Sequence, residues 1–340
     1  MKRFLPKFII LFTLLIGAVA IYRWYIYPEL SGDLSVLGKI PIGSSYSNRI
    51  HNKYPVDNNY VLQWNTSMSL DSNAVIVIGD SFSNRESENE KENSWSRYTA
   101  EKLGITIVNV INYNCSYWPE HLFISFAESG LIPEGCLVIV ESVENGIISR
   151  LTRSHPIDYA EQYIYGLGHY QKKQLTIDWI SEATMYVRYR LGWKCPVHSY
   201  QLIQPCFSHP QFENTLFVYK KDENYLYEDL SVKIHDMKKT IDDMFRIARL
   251  HNIDLVYMIA ADKYDAYEPF IKGKHRKTDL SDYFPSNDTI VNTKTILQPY
   301  IISSTKDVYR VDDTHWSPIG SKIVGEYMTT IIAPYLDKNF

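Results

Sequence analysis

The feature that most restricts the fold is a set of short, unbroken apolar runs. Ala74-Val75-Ile76-Val77-Ile78 is the first, closed by Gly79-Asp80-Ser81. A strand with one wet face alternates apolar and polar residues. An unbroken run suits a strand buried on both faces of a parallel sheet. Ile105 to Ile111, Leu137 to Val140 and Ile253 to Ala260 have the same character. Between them lie stretches of helical character: Trp95 to Leu103 with Gly104 as a C-cap, Pro119 to Ser129 ended by Gly130, and Ser231 to His251. Asp307 to Val311 reads as a further short strand, followed by a helix near Ser317 to Tyr335. Strands alternating with helices predict an α/β fold with a mainly parallel sheet flanked by helices.

The alternation breaks between about residues 150 and 230, which reads as an insertion in an α/β domain covering 71–340. The stretch is aromatic and polar, with one helix expected over Ile177 to Leu191. A hairpin is expected between Thr215-Leu216-Phe217-Val218-Tyr219 and Tyr225-Leu226-Tyr227. Such an insertion can serve as a lid, an acceptor groove or a structural appendage.

At the amino end, Lys2, Arg3 and Lys7 precede an uncharged apolar run from Phe8 to Tyr22, followed by Arg23-Trp24-Tyr25-Ile26-Tyr27. Basic residues on one side and an aromatic belt on the other fit a membrane anchor over 1–27. Ala18-Val19-Ala20 alternatively offers a signal-peptide cleavage site. Either reading exports the rest of the chain, to the periplasm or the cell exterior, because more positive charge lies before the run than just after it. Residues 28–70 read as a juxtamembrane segment.

Charge and cysteine content narrow the function classes. A net charge of −4 lacks the basic footprint of a nucleic-acid binder. The 27 tyrosines suit sugar or protein contacts, but also fill ordinary cores. Cys115, Cys136, Cys195 and Cys206 are compatible with export. Cys195 and Cys206 flank a loop and can bridge, although four cysteines allow three pairings. No cysteine pair has C-x-x-C spacing and no histidine cluster joins them, so no metal site is expected. The loop Arg85 to Glu92 reads as solvated, and His121, His155, His169, His198 and His209 have no partner spacing.

In parallel α/β sheets, function gathers at the carboxyl ends of strands. Ser81 stands at one such end, where its hydroxyl can act as a nucleophile or simply cap a turn. The other candidate end leads to Asp312-Asp313-Thr314-His315-Trp316-Ser317-Pro318. A serine nucleophile needs a base, and the base needs an orienting carboxylate. His315 can be the base, with Asp313 or Asp312 as the acid. Ser317 or Thr314 then caps the last helix, with Pro318 at its first position.

The two blocks together resemble the SGNH (GDSL-like) hydrolases, and more closely their alginate O-acetyltransferase branch. Ile78-Gly79-Asp80-Ser81-Phe82-Ser83 with downstream Trp95 resembles the first block, and Asp313-Thr314-His315-Trp316-Ser317-Pro318 resembles the branch's D-T-H-W block. Val138 to Glu144 and Ala260 to Tyr267 resemble two lesser segments. The resemblance spans roughly 72–150 and 230–335 and implies a three-layer, flavodoxin-like sheet. It implies Ser81 as nucleophile, His315 as base and Asp313 as orienting acid, with Asp312 as the alternative that general SGNH enzymes would use. The oxyanion hole would use the Ser81 backbone N–H and Asn145 from the third block. The second block, Asn112 to Ser116, lacks the usual glycine.

These features lead to an exported O-acyltransferase that acetylates a cell-surface or secreted polysaccharide. No metal or organic cofactor is needed for that chemistry. The resemblance also implies a membrane acyltransferase partner that delivers the acyl group. An esterase with the same residues, or a non-catalytic polysaccharide-binding component, are the alternatives.

Overall fold

The apolar runs pair with one another, and all pairings among them are parallel. The computed structural model describes residues 61–64, 70, 74–83, 94–110, 118–152, 197–220, 222–223, 230–273 and 280–337, with short pieces at 12–18, 21 and 34. The central sheet contains β1 (Val61–Gln63), β2 (Val75–Ile78), β3 (Ile107–Val110), β4 (Leu137–Val143), β7 (Asp254–Ala260) and β8 (Ile290–Asn292), in the order β1-β3-β2-β4-β7-β8. Strands β2, β3 and β4 are buried almost throughout, as their unbroken hydrophobicity requires. A separate antiparallel pair is formed by β5 (Val197–Gln201) and β6 (Thr215–Tyr219).

Helices α1 (Trp95–Leu103), α2 (Pro119–Glu128), α3 (Glu144–Leu151), α4 (Ser231–Leu250), α5 (Lys263–Tyr267), α6 (Thr293–Ile302) and α7 (Pro318–Asp337) flank the sheet. The chain steps from β2 to β3 in one direction, then returns across β2 to β4. Right-handed crossovers place the helices of these two steps on opposite faces. The contacts agree: α4 packs on α2 and α3, while α7 packs on α1 and α6. The α1–α7 seam is close. Thr99 Oγ1 donates to the Gly325 carbonyl at 2.9 Å, and a Cβ on Gly325 would sit 2.7 Å from the Trp95 carbonyl oxygen.

Several expectations need correction. Thr215–Tyr219 pairs with Val197–Gln201 in full register, so its hairpin partner lies upstream; Tyr225 to Tyr227 is outside the described residues. Asp307 to Val311 adds no strand to the sheet. Asp307 has φ 59°, which an extended strand does not allow, and only Tyr309 pairs, with Trp316. The edge position beside β7 belongs instead to Ile290–Asn292. The parallel sheet also reaches back to Val61, ahead of the boundary expected at residue 71. Cys206 is a buried free thiol, as is Cys136, while Cys115 and Cys195 lie outside the described residues. Burial pushes the Cys206 pKa up to about 11.

The helix expected over 177–191 lies outside the described residues, as does the expected anchor over 1–27 apart from 12–18 and 21. Residues 12–18 are helical, with Phe12, Leu14, Leu15 and Ile16 exposed. Among the described residues, no helix is long and apolar enough to cross a membrane.

Candidate active site

The strand order reverses direction between β2 and β4, and the candidate residues gather at the carboxyl ends beside that point. Such a switch point leaves a crevice, because the loops after the two strands lead to opposite faces. Gly79 ends β2, and the following turn is closed by the Ser83 N–H, which donates to the Asp80 carbonyl at 3.2 Å. The turn is held from below. Trp95 Nε1 donates to Ser83 Oγ at 3.0 Å, and Asn109 Nδ2 to the Ser83 carbonyl at 3.3 Å. Gly79 is required by close packing, since a Cβ there would lie 2.6 Å from Ser83 Cβ and 2.7 Å from Glu141 Oε2.

Asp80 is a structural anchor for this turn. It is buried, and its Oδ2 accepts from Arg150 Nη1 at 2.7 Å and from the Val143 N–H at 3.0 Å. Its own N–H donates to Glu141 Oε2 at 3.0 Å. Burial first, and then the Asp80 charge, hold the Glu141 pKa well above its ordinary value. Glu141 is thus biased toward its protonated form, while Asp80 pairs with the Arg150 guanidinium. Burial opposes the charge on Arg150, but Asp80 and Glu120 outweigh it and raise its pKa.

This anchoring leaves Ser81 half-buried at the second position of the turn. Among the described residues, no hydrogen bond engages its hydroxyl or its backbone N–H. A nucleophile and an oxyanion donor both need that availability.

The second block forms a tight loop ahead of α7. Tyr309 and Trp316 make an antiparallel bridge, and the Arg310 N–H donates to the His315 carbonyl at 3.2 Å. Within the loop, Asp313 Oδ1 lies 2.6 Å from His315 Nδ1 and also accepts the His315 N–H at 2.9 Å. Asp313 Oδ2 lies 3.8 Å from the Arg310 guanidinium, which compensates the burial of the carboxylate. Asp312 is also buried; the carboxylate that meets the imidazole at 2.6 Å is Asp313. Lys263, at the start of α5, donates from Nζ to the carbonyls of Val311 and Asp313 at 3.1 Å each and so clamps the loop from beneath. Ser317 caps α7, accepting from the Ile319 N–H at 3.0 Å, and its hydroxyl donates to the Asp307 carbonyl.

Phe82 brings the two blocks together. Its ring centroid is 4.8 Å from that of His315 and 4.6 Å from that of Trp316. The residue next to Ser81 therefore packs on the imidazole, although more than two hundred positions separate them in sequence.

Asn145, the expected second oxyanion donor, lies in the first turn of α3. Its Nδ2 donates to Asp222 Oδ1 at 2.6 Å, which commits that N–H to a carboxylate just beyond β6. The second block, 112–116, lies outside the described residues. Sequence reasoning gave no role to Arg150, Lys263 or Arg310. Arg150 and Lys263 act across long separations that no local pattern marks, whereas Arg310 lies only three residues from Asp313. Among the described residues no group of three or more histidine, cysteine or acidic side chains could hold a metal ion.

No protein-family model, curated protein or solved structure matches the chain.

Proposed function

We propose that the chain is an exported, membrane-anchored serine O-acyltransferase of the SGNH type, acting on a cell-surface or secreted polysaccharide. The observation that carries this reading is the His315–Asp313 pair at 2.6 Å, on a loop whose imidazole packs against the neighbour of Ser81. The arrangement supports a two-step acyl transfer. His315 takes the Ser81 proton as Oγ attacks the acyl carbonyl, and the leaving group departs with that proton. An acceptor hydroxyl then attacks the acyl-enzyme, its proton passes to His315, and Ser81 recovers it as the ester bond to Oγ breaks. Asp313 fixes the imidazole tautomer and stabilises the imidazolium. The Ser81 N–H is the oxyanion donor that this geometry supports best. A membrane acyltransferase would present the acyl donor on the outer side, with the segment 1–27 holding the chain at that membrane.

An esterase would use the same acyl-enzyme with water as acceptor. The test is intact-protein mass spectrometry after exposure of the full chain, in detergent, to p-nitrophenyl acetate. One acetyl group is expected on wild type and none on Ser81→Ala. His315→Ala should acylate slower by about a thousandfold or more. Equal labelling of wild type and Ser81→Ala would refute the reading. Folded wild type that takes no acetyl would favour a polysaccharide-binding role without catalysis.

A further inference from the structure

A second histidine–carboxylate pair stands on the β5–β6 hairpin. His198 Nδ1 lies 2.8 Å from Glu223 Oε2, close to the 2.6 Å of His315 and Asp313. The Glu223 side chain is 6% exposed and the His198 side chain 40%, so a buried carboxylate orients an imidazole that solutes can reach. With Nδ1 engaged, Nε2 is the nitrogen a solute would meet.

Two contacts set this pair at the edge of the candidate site. Asp222, adjacent to Glu223, accepts from Asn145 Nδ2 at 2.6 Å and so ties the hairpin to the first turn after β4. Tyr200 lies two residues beyond His198 and shares its strand face. Its ring is 5.4 Å from Tyr264, in the helix that follows β7. Between these two contacts, at the carboxyl end of β7, lies Asp262. Asp262 is buried, and its Oδ2 has no hydrogen-bond partner among the described residues. Burial first and then Asp222 hold its pKa well above the ordinary value.

We infer that His198, oriented by Glu223, is a positioning residue of an acceptor subsite that binds a saccharide beside Ser81. This inference rests on the acyl-enzyme reading above. The group combines an exposed imidazole with the partly exposed ring of Tyr200. A sugar presents hydroxyls that donate and accept at short spacing, and C–H faces that lie on aromatic rings. His198 binds a hydroxyl adjacent to the one that reacts. The reacting hydroxyl attacks the acyl carbon, its proton goes to His315, and the Ser81 ester bond breaks. His198 moves no proton in this sequence.

The test uses the full chain in detergent, with p-nitrophenyl acetate as donor and methyl β-D-glucopyranoside as acceptor. Nitrophenol release reports acylation, and product analysis reports how acetyl divides between water and the glycoside. In His198→Ala the share reaching the glycoside should fall about tenfold, the value of one lost hydrogen bond, with acylation changed by less than about twofold. His198→Gln keeps a hydrogen-bonding group and should restore most of the transfer. Unchanged division in His198→Ala overturns the inference, as does a parallel fall in acylation. Wild type that acylates but never transfers also overturns it while leaving the acyl-enzyme intact. Wild type that never acylates removes the acyl-enzyme and the subsite together.

Discussion

Replacing Glu141 by Gln should change how stability depends on pH, and the direction follows from the carboxyl cluster under Ser81. Glu141 is fully buried beside Asp80, and burial together with the Asp80 charge raises its pKa well above 4.5. The folded chain thus holds a proton that the unfolded chain releases near pH 4.5. Linkage gives the sign: where the native state binds more protons, stability falls as pH rises. The contribution of Glu141 is complete below pH 4.5 and is lost as pH climbs from there through the raised native value. Over that window one proton is worth about 1.4 kcal/mol per pH unit. Glutamine keeps an oxygen for the Asp80 N–H and an N–H where the acid carries its proton, but does not titrate. Glu144 and Asp262, also raised by burial, remain in both proteins, so the difference isolates Glu141. Urea unfolding at half-unit steps from pH 5 upward measures it. The wild-type curve should fall more steeply than the variant curve by up to about 1.4 kcal/mol per unit. Parallel curves would refute the assignment of the shared proton to Glu141.

Arg150→Met leaves the Asp80 carboxylate buried without its cation, and should cost about 3–5 kcal/mol in denaturant unfolding; the double variant with Asp80→Asn should recover much of the loss. Asp313→Asn should lower acyl transfer by about ten-thousandfold, because the amide no longer enforces the working imidazole tautomer. Asp312→Asn should leave rates much closer to wild type, and the reverse order in a p-nitrophenyl acetate assay would make Asp312 the acid. Gly320→Ala would set a Cβ 2.2 Å from the Val308 carbonyl oxygen. It should destabilise by at least about 1–3 kcal/mol, read as a lowered Tm.

The central strands were legible because burial on both faces writes itself as unbroken hydrophobicity. Val75–Ile78, Ile107–Val110, Leu137–Val143 and Asp254–Ala260 all lie on or within a few residues of the runs that announced them. The helix Trp95–Leu103 was legible through its glycine stop, which adopts φ 66°. Edge strands carry less signal. Val61–Gln63 and Ile290–Asn292 have three residues each, too few to show a pattern. Val308, Tyr309 and Val311 misled because they are fully buried, yet they pack in a loop that turns at Asp307. At the candidate site, Ser81, Asp313 and His315 could be read from two short blocks. Their supports could not. Lys263 clamps a loop about fifty residues away, Arg150 holds an aspartate seventy residues away, and His198 in β5 meets Glu223 just beyond the end of β6. Such partners are set by the sheet order, which no local pattern states.

The seam between α1 and α7 bears on how this chain matures during synthesis. The serine turn and its carboxyl anchor are built from β2, β4 and α3, all emerging early from the ribosome. The histidine loop comes much later, and its place depends on α7 docking against α1 through Thr99 and Gly325. A nascent chain can therefore fold most of its sheet while the His315 loop is still unmade. Only the return of the last helix to the first closes the circuit, so a chain still in synthesis holds the Ser81 turn without the His315 loop beside it.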